Sequence, residues 1–167
     1  MPGYLITPDQ GRTVWLGQPG VGLGVTFMLG GEATGGAFSI VEHPVPPGAL
    51  ARPHTHTRED EFSFVVEGEI GARIGDEVLQ ATMGCYVLKP RGIPHAFWNA
   101  GPRPARILEI ISPPGFEKYF AELSALLSTG GPPDLAALAR QADEYGLTYH
   151  PEWIPELVEK YGLNVER

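Results

Sequence analysis

Between Thr13 and Ser112 the apolar positions fall in short runs: VWLG, GVTFML, AFSIVE, EFSFVVEG, EIGARIG, EVLQAT, CYVLKP, HAFWNA and ARILEII. Runs of that length, rich in Val, Ile, Phe and Trp and parted by Gly and Pro, predict strands at the spacing of a sandwich or barrel. No amphipathic stretch of helical length interrupts them. The crossover helices of a parallel sheet are therefore missing, and antiparallel pairing is expected. After Ser112-Pro113-Pro114-Gly115 the period changes. Phe116, Tyr119, Phe120, Leu123, Leu126 and Leu127 recur at helical spacing and predict a helix with one apolar face. A second helix is expected from the N-cap Asp134 through Leu135, Leu138, Ala142 and Tyr145 to Gly146, and a third from about Pro155 to Gly162. The expected architecture is all-β over residues 1–112, with residues 113–167 a helical extension packed on the outside of the barrel or over one of its mouths, within the same domain.

Composition narrows the function more than the fold. A chain of 167 residues that is 43% hydrophobic is long enough for one domain with a core of its own. Its 22 Gly and 17 Pro lie between the apolar runs rather than in repeats, which makes them turn residues. A net charge of −8 offers no basic face for phosphates, so nucleic acid is not an expected partner. The single cysteine, Cys85, has no disulfide partner and no CxxC companion, which suits a reducing cytoplasm; it reads as a small buried hydrophobe. The N-terminal MPGYLITPDQGRT lacks a basic segment followed by an apolar one, and no apolar run approaches the ~18 residues of a membrane span. A protein that neither enters a membrane nor leaves the cell is expected.

Two stretches carry candidate chemistry. In GALARPHTHTREDEFSFVVEG, residues 48–68, His54 and His56 stand two apart, the spacing that puts both side chains on one face of an extended strand. Taken alone, such a pair is more often two solvated histidines than an ion site. Arg58-Glu59-Asp60 has the character of a polar turn that could return Glu61 beside them, and Glu59 and Asp60 compete with Glu61 for that role. In GCYVLKPRGIPHAFWN, residues 84–99, Pro90, Gly92 and Pro94 define a turn immediately before His95. His43 and His150 each precede a proline, lie outside both stretches and read as ordinary surface or turn residues.

The spacing Gly48-x5-His54-x-His56-x4-Glu61-x6-Gly68 resembles the first cupin motif, and Gly84-x5-Pro90-x-Gly92-x2-His95-x3-Asn99 resembles the second. All ten marked positions agree. The chain thus resembles the cupin superfamily, in particular small single-domain cupins of the quercetin dioxygenase-like kind. The resemblance implies a jelly-roll barrel of six to eight strands and one divalent metal ion held by His54, His56, Glu61 and His95. It also implies a homodimer, because cupin barrels often pair through edge strands or exposed sheet faces. Three imidazoles and one carboxylate suit Fe, Mn, Co, Ni, Cu or Zn better than Ca or Mg, and four protein ligands leave an octahedral ion two open positions.

Strand alternation sorts the neighbours. Ser63 and Val65 share a face with Glu61, and Phe97 and Asn99 share one with His95, while Tyr86 and Leu88 are further candidates for an apolar pocket wall. Asn99 is more readily a turn cap than a ligand. These residues suggest a small, partly apolar or aromatic substrate. The leading expectation is a metal-dependent dioxygenase acting on a phenolic, enolic or diketone molecule, with Glu61 loosening from the ion to accept the substrate proton. A metal-dependent isomerase or lyase, and a non-catalytic module that binds a small molecule or metal, are the alternatives.

Overall fold

A computed structural model describes residues 3, 5–128 and 133–164. Eleven strands among these residues form two antiparallel sheets, more than the six to eight that the resemblance implied. The first sheet has the order β1 (Arg12–Leu16), β2 (Leu23–Leu29), β3 (Ser39–Val45), β10 (Ala105–Ser112), β5 (Asp60–Glu67), β8 (Tyr86–Lys89). The second runs β11 (Leu147–Tyr149), β4 (Leu50–His56), β9 (His95–Trp98), β6 (Glu69–Ile74), β7 (Glu77–Thr82). The excess comes partly from β11, three residues of the C-terminal extension that pair with β4 at Leu147↔His56 and Tyr149↔His54. No period is readable in so short a segment.

Alternation holds where it is expected. On β3 Ser39, Val41, His43 and Val45 are buried and their neighbours are not; on β10 the buried set is Ala105, Ile107, Glu109 and Ile111. Toward one end the interior is apolar, built from Val45, Ala51, Val65, Ile70, Phe97 and Ile107 among others. Each of the Val, Ile and Phe side chains among them contributes about 1.5–3 kcal/mol on leaving water. His43 belongs to this interior too. It is 2% exposed, its ring lies between Phe97 and Phe120, and its Nδ1–H donates to the Gly24 carbonyl at 3.0 Å. The surface role expected for it is therefore wrong, because the β3 alternation that buries Val41 and Val45 also turns His43 inward. Cys85 is the opposite correction: it lies exposed in the turn between β7 and β8.

The helices form where the periodicity places them. α1 is Glu117–Leu127, α2 is Leu135–Glu144 and α3 is Ile154–Tyr161. Asp134 caps α2 by accepting from the Ala136 and Ala137 amides, and Gly162, at φ 64°, ends α3. Phe116, Tyr119, Phe120 and Leu123 pack on the inward residues Val25, Val41 and Ile111, so α1 closes part of the space between the sheets. α3 instead covers the outer face of the second sheet, where Leu157 and Leu163 meet Ala96 and Trp98. No helix among the described residues is long and apolar enough to cross a membrane.

Candidate metal centre

β4 carries His54 and His56, β9 carries His95 and β5 carries Glu61. His54 and His95 are directly paired across the second sheet, whereas Glu61 arrives from the first. One donor atom from each of the four lies within 4.8 Å of the others, and all but His54 are buried. The cluster therefore spans the two sheets from inside.

Local features of the chain turn these side chains inward. The β4–β9 register is irregular between Ala51 and His54, where Arg52-Pro53 sits. Ala51 faces the apolar interior, and beyond the irregularity His54 and His56 take the inward face. An extra residue in a strand shifts its alternation in this way, and proline, which lacks the N–H of a regular ladder, is at home there. Before His95 the turn is tied to β4, since the Gly92 amide donates to the His56 carbonyl at 2.8 Å. Gly92 makes that turn at φ 77°, a backbone state a side chain would strain.

The rings are oriented from behind. His54 Nδ1 is 2.6 Å from the Arg52 carbonyl and His95 Nδ1 is 3.0 Å from that of Ile93. A carbonyl only accepts, so these nitrogens carry the proton and Nε2 presents a lone pair. Behind His56 stands a carboxylate instead, Glu59, 3.4 Å from Nδ1. With all three rings so arranged, the His54 and His56 Nε2 atoms face each other at 3.0 Å. The buried His95 Nε2 has no hydrogen-bond partner, and lies 3.4 Å from Glu61 Oε2. Glu61 Oε1 is 3.3 Å from His56 Nε2. Donors held about 2.1 Å from one ion at right angles are about 3.0 Å apart, so this spacing fits a shared first-row cation.

The three consecutive acids divide the work. Glu61 faces the imidazoles, Glu59 backs His56, and Asp60 turns outward to receive the Arg91 backbone N–H at 2.9 Å and the Arg91 guanidinium at 2.7 Å. Of the three, only Glu61 belongs to the cluster that could hold an ion.

Two charged residues that the sequence reading did not single out stand behind Glu61. Lys89 Nζ is 3.0 Å from Glu61 Oε2 and 2.7 Å from Glu109 Oε2, and Ser63 Oγ donates to that same Glu109 oxygen at 2.9 Å. Lys89 and Glu109 are each 1% exposed, Glu61 3% and Glu59 6%. One formal positive and three formal negative charges leave this interior two short of neutrality. A buried imbalance of that kind is costly, and a divalent cation cancels it. Without an ion, protons compensate: burial pushes Glu109 up to about 7 against the pull of Lys89, while at His56 the carboxylates of Glu61 and Glu59 outweigh burial and lift the ring to about 9. Burial holds His54 and His95 below the usual histidine range. Burial alone would raise Glu61, but Lys89 and His56 more than offset it and keep the carboxylate well below its usual range.

The expected pocket residues separate. Ser63, Val65 and Phe97 do face the interior, with Val65 and Phe97 in its apolar part. Asn99 is buried but holds a turn: it donates to the Val45 and Arg103 carbonyls and accepts from the Gly101 amide. Tyr86, 81% exposed, and Leu88, 49% exposed, point away from the site, because on β8 it is Val87 and Lys89 that face inward. The wall nearest the ligands comes instead from the extension. Phe116 meets the His56 ring edge to face at 4.2 Å and stacks on Tyr119 at 4.8 Å. Tyr119 and Tyr149 are joined through their hydroxyls, and the Tyr149 ring centroid is 6.5 Å from that of His54. A groove of about 390 Å³ beside Gly71, Val78, Trp98 and Tyr161 lies on the outer face of the second sheet, the side opposite the ligands.

Comparison with known proteins agrees with this architecture. The cupin domain family model matches residues 41–111, from β3 into β10. Nectarin-1 of Nicotiana plumbaginifolia is 40% identical over 75 residues, which are 42% of this chain and 33% of nectarin-1; the chain spans about a third of the length of the curated relative it matches. Among solved structures, a predicted oxalate decarboxylase from Thermotoga maritima superposes with a TM-score of 0.58 at 19% identity, over 65% of this chain and 98% of that one. KdgF from Halomonas sp. gives 0.59 at 18% identity, over 69% and 99%. At such identities the likeness is one of fold. Residues 41–111 thus match the cupin domain model, and the solved structures share the fold around them.

Proposed function

We propose that the protein is a metal-dependent enzyme acting on a small, partly apolar phenolic or enolic molecule, with dioxygenase chemistry of the quercetinase-like kind as the leading reading. The observation that carries it is a set of three histidines and one glutamate with an aromatic wall of Phe116, Tyr119 and Tyr149 beside His54, the ligand that is not fully buried. A divalent transition metal in that set supplies Lewis acidity and, if redox-active, a route for electrons to O2. The chain's own residues have separate tasks. Glu61, kept ionised, accepts the proton of the substrate hydroxyl at a carboxylate oxygen. Phe116 and Tyr119 shield the buried ligands from water, and the exposed Tyr149 ring offers an aromatic surface to the substrate. The Tyr119 and Tyr149 hydroxyls can reorient to hydrogen-bond a substrate oxygen.

The protein loaded separately with Fe, Mn, Ni, Co, Cu or Zn and given flavonols and diketones should consume O2 with at least one of these metals. Absence of uptake with all of them would refute the dioxygenase. The buried Lys89–Glu109 pair beside Glu61 favours a second reading, a metal-dependent isomerase or lyase that needs only proton movement. Product formed under anaerobic conditions would select it. Stoichiometric binding without turnover would leave a binding module. We further propose that the protein works as a homodimer in the cytoplasm, with the exposed Phe62, Tyr86 and Leu88 beside the free edge of β8 as the surface between copies; a monomeric mass in solution would refute the pairing.

A further inference from the structure

Lys89 is a fully buried lysine, 1% exposed, and nothing in the ligand set accounts for it. Its ammonium has Glu61 Oε2 at 3.0 Å, Glu109 Oε2 at 2.7 Å and the Phe97 ring centroid at 5.0 Å. The arrangement is written into the register. Glu61 on β5 is the direct partner of Lys89 on β8, and Ser63 on β5 is the direct partner of Glu109 on β10. All four side chains take the inward face of three neighbouring strands, so the ammonium cannot move without breaking a cross-strand pair.

A buried ion pair contributes little net stability, since an apolar side chain of similar size commonly serves as well. The position of this one is more informative. Glu61 has two oxygens near the imidazoles: Oε1, 3.3 Å from His56 Nε2, and Oε2, 3.4 Å from His95 Nε2. Unrestrained, a carboxylate can offer both oxygens to one cation. Lys89 claims Oε2, and Glu109, steadied by Ser63, holds Lys89 in place. Oε1 carries no such partner.

We propose that Lys89, anchored by Glu109, is a positioning residue that restricts Glu61 to ligation through one oxygen and so keeps a coordination position free for an exogenous ligand. This rests on the metal-binding reading above. Glu61 held by a single oxygen is also the carboxylate best able to release the ion and take a substrate proton, with Lys89 retaining its other oxygen throughout.

The probe is Mn²⁺, whose bound waters are counted by the relaxation they impart to bulk water protons, with elemental analysis of the same samples. In the wild-type protein, X-ray absorption or a Mn²⁺-bound crystal structure should show one Glu61 oxygen on the ion and the other on Lys89. In Lys89→Met the freed carboxylate should close over the ion with both oxygens. Mn²⁺ would then bind about tenfold more tightly, as a neighbouring cation is removed, and the relaxivity should drop to about half, as one of two open positions is lost. A residue that merely supports the barrel would change affinity in the other direction. Wild-type relaxivity in fully loaded Lys89→Met, or weaker Mn²⁺ binding in a variant that keeps its fold, would overturn the proposal. If Lys89→Met does not fold, the wild-type measurement decides: Glu61 bound through both oxygens refutes the role. A wild-type protein that takes up no metal at all refutes instead the site on which this rests.

Discussion

His43 should make the barrel acid-sensitive by an amount its surroundings set. The ring is enclosed by Phe97, Phe120 and the Gly24 carbonyl, with Lys89 and Glu61 the charged groups that act on it. Burial is the dominant effect and lowers it from 6.5 to about 4; the Gly24 bond and Glu61 oppose that shift, and Lys89 adds to it. A folded-state value below the unfolded one means that, between about 6.5 and about 4, the unfolded chain binds a proton the folded chain refuses. The contribution is thus complete above 6.5 and is lost as pH falls toward 4. A gap of about 2.5 units corresponds to about 3 kcal/mol. The assay is urea unfolding of metal-free wild type, His43→Gln and His43→Leu at about pH 7.5 and about pH 4, where the other titrating groups act on every protein alike. At the higher pH the leucine variant should be weaker by about 1 kcal/mol for the lost Gly24 bond. Toward the lower pH wild type should lose about 3 kcal/mol more than either variant, closing or reversing that difference. Parallel losses in all three proteins would show that His43 does not titrate as its burial requires.

Other consequences follow from the metal centre. His54→Ala and His95→Ala should each lose bound metal and melt lower than the loaded wild type, because an ion that binds only the folded state stabilises it; unchanged metal content in both, by elemental analysis, would reject the ligand assignment. Glu59→Gln keeps the volume behind His56 but removes the charge, and should weaken metal affinity about 10- to 100-fold in a competition titration with little change in fold. Phe116→Ala removes a fully buried ring from between His56 and α1 and should cost about 3–5 kcal/mol in denaturant unfolding; a loss below about 1 kcal/mol would mean that α1 is not packed there.

The residues that could be read in advance were those whose local pattern carries their meaning. Antiparallel strands followed from short runs broken by Gly and Pro, and the helix caps Asp134 and Gly162 followed from residue type. The four residues that cluster between the sheets were readable because their spacing within two short segments marks them out. His-Thr-His has an inward face only because an irregularity at Arg52-Pro53 resets the alternation of β4, and no count of residues could locate that. Tyr86 and Leu88 were misplaced for a different reason: period two gives two faces but does not say which is inside, and on β8 the lysine takes the inner one.

That inversion shows how the interior of this barrel is specified. Hydrophobicity alone would place Tyr86 and Leu88 inside and Lys89 outside. The register prevails because Lys89 lies opposite Glu61, and because Ser63 and Glu109 give the ammonium a second anion one strand further on. Each of these polar groups would be costly to bury alone, and together with Glu59 they are two positive charges short of neutrality, which a divalent ion would supply. The tail then supplies what strands cannot. Phe116 lies against His56 from the position just before α1, and Tyr149 beside His54 from an added strand, so on the proposed reading a segment that bears none of the four donors would set the chemical character of the approach to an ion. A chain ending at Ser112 would retain all four donors and both motifs but leave His56 without the ring that covers it. Substrate selectivity in this protein should accordingly follow changes in Phe116, Tyr119 and Tyr149 more closely than changes in Ser63 or Val65.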